Sequence, residues 1–289
     1  MEIISQIPRL PPRRPDSHKG NYGRILIIAG SVGMTGAAAL AGRAALRAGA
    51  GLVRIATARS ALSIVASIDP CYTTIALAED SLGRIAAAAI DTILDAVSDS
   101  DVVVFGPGIG QSADLRAITS RLIAIKGLRL LIDADGLNNL VRLKGWQAQL
   151  ASVPILTPHP GEMKRLWATL TDQPPQPDRC EWARAFVQKV PVVLVLKGAG
   201  TVVTDGARLY VNTTGNPGMA TAGAGDVLSG VIAALMGQGL TDLDAAILGT
   251  YLHGLAGDIA AAHLGQVSLT ATDLIDALPK AFASLAGRS

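Results

Sequence analysis

Short aliphatic runs alternate with longer alanine-rich stretches along most of this chain, and that rhythm restricts it to strand-helix units around a mostly parallel sheet. The runs at 24–29, 52–56, 101–105, 128–132, 153–157, 192–196, 201–204 and 209–212 read as strands. The last two read as an antiparallel hairpin, because Asp205-Gly206 between them is a strong turn signal. Helices are expected at 36–48, 85–96, 113–124, 136–143, 161–170, 178–188, 226–236, 242–262 and 271–285. In the helix from Asp226, the residues Val227, Leu228, Val231, Ile232 and Leu235 fall on one face, which packs inward. Residues 171–178 hold three prolines and read as a surface loop, since the strand-helix rhythm resumes after them. The 289 residues are therefore expected to form a single α/β domain, with 1–17 an extended N-terminal segment.

Composition narrows the class further. With 49% hydrophobic but only 3% aromatic residues, the core has to be built from Ala, Val, Leu and Ile. A formal charge of +2, with Lys and Arg scattered, gives no support to nucleic-acid binding. Cys71 and Cys180 make no CxxC pair or zinc spacing and read as reduced thiols. The first residues carry prolines at 8, 11, 12 and 15 without an apolar signal core, and no stretch approaches the length of a membrane span. The expectation is a cytoplasmic protein with no membrane partner.

The chemistry concentrates in Gly215-Asn216-Pro217-Gly218-Met219-Ala220-Thr221-Ala222-Gly223-Ala224-Gly225-Asp226, a glycine-rich turn running into an apolar helix with one acid at the junction. Small residues at 222–225 let backbone N–H groups converge on an anion, and the helix N-terminus adds partial positive charge. Asp226 in the first turn is placed to take a proton from a hydroxyl that attacks phosphorus. An ordinary capped helix needs fewer small residues than this. No Gly-Lys-Ser or Gly-Lys-Thr occurs, which excludes a Walker loop. The GxGxxG fingerprint also fails, because Leu228 and Gln111 stand where the third glycine belongs after 223–225 and 106–108.

Parallel α/β sheets bind ligands at the carboxyl ends of their strands. Gly106-Pro107-Gly108-Ile109-Gly110 follows one strand and is either a plain turn or a loop that admits close approach of a ligand. Asp133-Ala134-Asp135-Gly136 follows another, with Asp135 expected to cap the next helix rather than bind metal. Pro158-His159-Pro160-Gly161-Glu162 holds an imidazole between rigid prolines, poised to touch substrate. Lys197-Gly198-Ala199-Gly200-Thr201 suits a nucleotide phosphate or ribose, with a surface turn as the alternative. Gly30 to Ala38 offers a second glycine-rich strand-to-helix turn. His18, His253 and His263 have weaker claims.

Taken together, HKGNYG, GAAALAGRAALRAGAGLV, GPGIG, DADGLN, LTPHPGE, KGAGT and GNPGMATAGAGDVLSG occur in the order seen in the NAD(P)H-hydrate dehydratases, a family this chain closely resembles from His18 to its last helices. The resemblance implies a ribokinase-like fold, a central mostly parallel sheet flanked by helices on both faces. It implies that Asp226 is the catalytic base, with Gly223, Ala224 and Gly225 forming the anion hole. Ala37, Gly108, His159 and Asp226 would contact the hydrated nicotinamide. Lys197, Gly198, Ala199, Gly200, Thr201 and Gly225 would hold the adenine nucleotide. Relatives often have threonine where Ala224 stands, which removes a hydroxyl and leaves the backbone donors.

The reaction the resemblance implies is dehydration of the S form of hydrated NADH or NADPH back to the reduced cofactor, with ADP as co-substrate and AMP and phosphate as products. ATP is the alternative donor. Magnesium is implied as cofactor; its ligands are unassigned, with Asp133 and Glu162 as participants to consider. A homo-oligomer, a tetramer by resemblance, is expected, as is a separate NAD(P)H-hydrate epimerase as functional partner. Two other readings compete. A small-molecule kinase of the same fold would use the same aspartate and release a stable phosphorylated product, and a non-catalytic nucleotide sensor would have no need of Asp226.

Overall fold

A computed structural model describes residues 2–286. Met1 and residues 287–289, at the two ends of the expected single domain, lie outside the described residues. In chain order the elements are β1 (Glu2–Ile3), β2 (Arg24–Ile28), α1 (Thr35–Arg47), β3 (Leu52–Ala58), α2 (Leu62–Ile68), β4 (Thr73–Leu77), α3 (Ile90–Ser98), β5 (Val102–Phe105), α4 (Ala113–Ile123) and β6 (Leu130–Ile132). There follow α5 (Asp135–Leu140), β7 (Ile155–Leu156), α6 (Pro160–Ala168), α7 (Arg179–Val187), β8 (Val193–Leu196), β9 (Val202–Thr204), β10 (Arg208–Val211), α8 (Ala224–Gly237), α9 (Asp242–Leu264) and α10 (Ala271–Ala286).

The strands form one ten-stranded sheet in the order β1-β10-β9-β8-β7-β6-β5-β2-β3-β4. Only β9 runs against its neighbours, pairing antiparallel with both β8 and β10. The expected hairpin is present, and it returns the chain to the common direction in β10. Both faces are covered. Alternate side chains of β2 go to opposite layers: Ile25 and Ile27 pack with α1, α8, α9 and α10, while Leu26 and Ile28 pack with α3 to α7. Such two-sided burial is why the strands read as continuous aliphatic runs.

The aliphatic core expected from composition describes one layer better than the other. Trp146, Trp167, Trp182, Phe105 and Phe186 all lie in the α3 to α7 layer, while the layer holding α8 is built mainly of Ala, Val, Leu and Ile, with Tyr72, Tyr210 and Phe282 among them. Close helix approach follows, since a Cβ on Gly230 would collide with the Ala41 carbonyl. The last glycine of the GDVLSG motif therefore serves the α1-α8 contact.

Three elements were not anticipated. β1 is two residues long, β4 is a half-exposed edge strand whose Thr73-Thr74 start lacks an aliphatic run, and α2 is a helix of only seven residues, three of them β-branched. The helix expected at 85–96 begins instead at Ile90, because Ile85 bridges to Glu79 and 87–89 form a 3-10 turn. The segment before β2 is extended but anchored: Ile4 donates to the Leu209 carbonyl, and Arg13 reaches Gly49 O at 2.7 Å. Both cysteines are free. Among the described residues no helix is long and apolar enough to cross a membrane.

Candidate active site

The loops after β2, β5, β6, β7 and β8 gather at one end of the sheet with the N-terminus of α8. Gly223 stands at the N-cap of α8 in the left-handed region (φ 87°), a backbone state that favours glycine, and no side chain caps the helix. The Ala224 amide donates to Thr221 O and the Val227 amide to Gly223 O. The open donors of the nest are thus the Gly225 and Asp226 amides in the first turn, where no helical carbonyl reaches them. The glycine-rich turn does run into a helix, and its unpartnered amides are those of 225 and 226 rather than that of 224.

Asp226 sits in that first turn with its carboxyl pushed up to about 7. Burial is the main cause, the negative charges of Asp133 and Asp135 add to it, and the Lys197 cation opposes them. A carboxyl with that poise exchanges protons near neutral pH, which suits a general base.

Lys197, expected to hold nucleotide, directly follows β8 and turns its ammonium inward. Its Nζ lies 2.7 Å from Asp133 Oδ1, and a Cβ at Gly225 would stand 3.3 Å from that nitrogen. The cation therefore lies under the anion nest. Burial works against its charge, but Asp133, Glu162 and Asp226 outweigh it and raise its pKa. The rest of the 197–201 loop is open at Gly198, Ala199 and Gly200, while Thr201 is buried with its hydroxyl on the Gly198 carbonyl at 2.9 Å.

Asp133, at the end of β6, is committed on both oxygens. Oδ1 meets Lys197, and Oδ2 accepts from Ser229 Oγ of α8 at 2.8 Å. Glu162 Oε2 accepts the His159 amide at 2.8 Å, and burial together with Asp133 raises its pKa against the pull of Lys197. Among the described residues no group of three or more His, Cys, Asp or Glu side chains could hold a metal ion. With both Asp133 oxygens and Glu162 Oε2 engaged, these two carboxylates form no ready cation cage.

His159 is the N-cap of α6. Its Nδ1 accepts the Gly161 amide at 3.0 Å, and Glu162 closes a capping box from the other side. An Nδ1 that accepts leaves the proton on Nε2, which lies 3.6 Å from Glu162 Oε1 on a ring that is half exposed. Burial, Lys197 and Arg165 lower its pKa and keep it neutral.

The GPGIG loop is a held loop. Gly110 donates to Asp135 Oδ2 at 2.9 Å and its carbonyl accepts from Asn139 Nδ2 at 2.9 Å, while Ser31 Oγ donates to Gly108 O at 2.8 Å. Asp135 is therefore not the cap of its own helix, as expected from sequence. Ala134 occupies the N-cap, and it is the only positive-φ non-glycine among the described residues (φ 49°). The strained turn aims Asp133 and Asp135 apart, one to Lys197 and one to Gly110. Ala37 and Gly108 are brought together: a Cβ on Gly108 would lie 2.9 Å from that of Ala37. Gly108 itself is buried and Ala37 half-buried, so Ala37 presents the more open surface.

Sequence reasoning missed Arg179. From the first turn of α7 its Nη2 donates to Leu196 O at 2.8 Å and Lys197 O at 2.9 Å, and its Nη1 donates to Ala199 O. It also missed Asp258 of α9, which accepts the Gly215 amide at 2.8 Å and Asn216 Nδ2 at 3.0 Å. Both grip backbone or loop groups far away in sequence, so no local motif marks them.

A mostly parallel sheet flanked by helices, with a glycine-started helix and an acid in its first turn at the strand ends, defines a ribokinase-like α/β protein. A family model described as NAD(P)H-hydrate dehydratase matches residues 25–280, and the chain belongs to that family. It is 45% identical over 277 residues to the bifunctional NAD(P)H-hydrate repair enzyme Nnr of Moorella thermoacetica, covering 94% of this chain and 51% of that protein. It is 36% identical over 273 residues to the ADP-dependent (S)-NAD(P)H-hydrate dehydratase of Xanthomonas campestris pv. campestris, covering 93% of this chain and 91% of that one. The ADP/ATP-dependent NAD(P)H-hydrate dehydratase of Bacillus subtilis, co-crystallised with ATP/Mg2+, superposes with a TM-score of 0.81 at 29% identity, covering 95% and 94% of the two chains. The chain spans about half the length of the bifunctional relatives it matches.

Proposed function

We propose that this chain restores NADH and NADPH from the S form of their hydrates, using ADP as phosphoryl donor. The observation that carries the reading is Asp226, a carboxyl pushed up to about 7 beside the open amides that begin α8, in a chain of this family. The hydrate carries a hydroxyl on the ring carbon next to nitrogen, a poor leaving group. Asp226 removes its proton as the oxygen attacks the terminal phosphorus of ADP, and the bond to AMP breaks. The Gly225 and Asp226 amides stabilise the charge on the transferring phosphoryl oxygens, with Lys197 beneath them. The ring nitrogen then pushes in its lone pair, phosphate departs, and loss of a proton from the neighbouring carbon restores the double bond.

His159, Ala37 and Gly108 are assigned to the hydrated nicotinamide, and the 197–201 loop with Gly225 to the nucleotide. Magnesium is proposed to arrive with the nucleotide phosphates, since both Asp133 oxygens and Glu162 Oε2 are engaged elsewhere. The reading further makes the protein a cytoplasmic homo-oligomer, a tetramer, whose functional partner is an NAD(P)H-hydrate epimerase converting the other epimer.

The test is recovery of the reduced-nicotinamide absorbance when protein, magnesium and hydrated NADH are mixed with ADP, then separately with ATP. Recovery with ADP is expected. Recovery with ATP alone would replace the donor. A stable phosphorylated product without recovery would turn the assignment to a kinase.

A further inference from the structure

The first turn of α8 has no side-chain cap. Its N-cap is Gly223, and Gly225 lies two residues further on. Within the helix the Ala224 carbonyl faces only the amide one turn on, and glycine on both sides of Ala224 leaves that peptide loosely held. A second donor comes from an imidazole on the neighbouring helix. His253 of α9 is buried, and its Nε2 lies 2.9 Å from the Ala224 carbonyl oxygen. A carbonyl only accepts, so Nε2 carries the proton.

We propose that His253 is a positioning residue for the anion nest, fixing the Ala224-Gly225 peptide so that the Gly225 N–H aims at the transferring phosphoryl group. The Ala224 carbonyl and the Gly225 N–H belong to one peptide plane. Holding the oxygen sets the direction of the N–H, and donation to the oxygen makes the N–H a stronger donor. Burial, reinforced by Lys197, lowers the His253 pKa to about 4, so the ring stays neutral at working pH. A neutral donor serves here without placing a second cation beside Lys197.

This inference rests on the nest being the phosphoryl site proposed above, and the experiment separates the two. His253→Leu removes the donor, and His253→Gln keeps an N–H of similar reach. For each, kcat and KM for ADP are measured with hydrated NADH, together with hydrogen-deuterium exchange of the segment holding Gly225 in nucleotide-free protein. In the Leu variant kcat is expected to fall about 10- to 100-fold with KM for ADP within about 3-fold, and the bonded Ala224 and Val227 amides of that segment to exchange faster. The Gln variant should recover kcat to within about 3-fold of wild type and restore the protection. If the Leu variant does not fold, His253→Met, equally unable to donate, takes its place. Wild-type kcat in the donor-free variant, or a Gln variant as slow as it, overturns the proposal. If wild type itself shows no dehydration, the proposed function falls and exchange alone decides: protection lost with Leu and regained with Gln upholds the anchor, and unchanged protection overturns it.

Discussion

Asp226 gathers the opposing charges of the site onto one carboxyl. Half-buried near Asp133 and Asp135, it holds its proton up to about 7, whereas in the unfolded chain it ionises near the ordinary aspartate value. If it is the base, only the ionised form works, so kcat/KM should rise about tenfold per pH unit below 7 and level off above it. A profile flat from pH 5 to 8 would remove Asp226 from that role. Stability has the opposite slope. Between about pH 4 and 7 the folded state binds a proton that the unfolded chain has released, so folding loses stability as pH rises, on the order of 4 kcal/mol across the window. Asp226→Asn removes the term. Thermal melts without nucleotide should show the variant gaining on wild type from pH 5 to pH 8, and a constant gap would contradict the environment assigned to this group.

The individual site residues differ in how far sequence reveals them. Asp226 and His159 stand in short motifs whose local geometry, a helix start and a proline-flanked cap, already implies their placement. The Asp133-Lys197 pair is formed by the ends of two strands far apart in sequence, and nothing near either residue announces the other. Asp135 was misassigned as a cap for the same reason. Its true partner, Gly110, belongs to another loop, and the positive φ of Ala134 that turns it there has no glycine to signal it.

Among the elements, α7 and α8 position the loops assigned to nucleotide and phosphoryl group. Arg179, the first residue of α7, spends its guanidinium on the carbonyls of 196, 197 and 199, with no carboxylate partner among the described residues, and burial lowers its pKa. It shapes the loop assigned to nucleotide. Arg179→Met should therefore raise KM for ADP about 10-fold, the worth of a lost charged hydrogen bond, while kcat stays within about 2-fold. Steady-state kinetics check this, and an unchanged KM would detach the loop from nucleotide binding. The α1-α8 contact makes a separate demand. Gly230→Ala pushes a methyl into the Ala41 carbonyl and should cost about 2 kcal/mol, lowering the melting temperature by several degrees. A neutral effect would show that the two helices can part without loss.

Across the molecule, the strand-helix rhythm was legible because both faces of the sheet are buried, which writes each central strand as an unbroken aliphatic run. The legibility fails at the edges. β1 and β4 are outermost, the first too short and the second too exposed to carry that pattern, and α2 beside β4 is short. The site was legible where one segment supplies it, as at 215–226, and illegible where α7 and α9 reach in from outside, as with Arg179, Asp258 and His253.

The measurement that bears most directly on the whole account is a paired one on Asp226→Asn: ADP binding by calorimetry and turnover of hydrated NADH in the same preparation. The account predicts ADP affinity within about 3-fold of wild type and a loss of turnover of about 10²- to 10⁴-fold, since the amide keeps the shape of the nest and cannot take a proton. Turnover near the wild-type rate would contradict it, because a site without a base at 226 is not the one described.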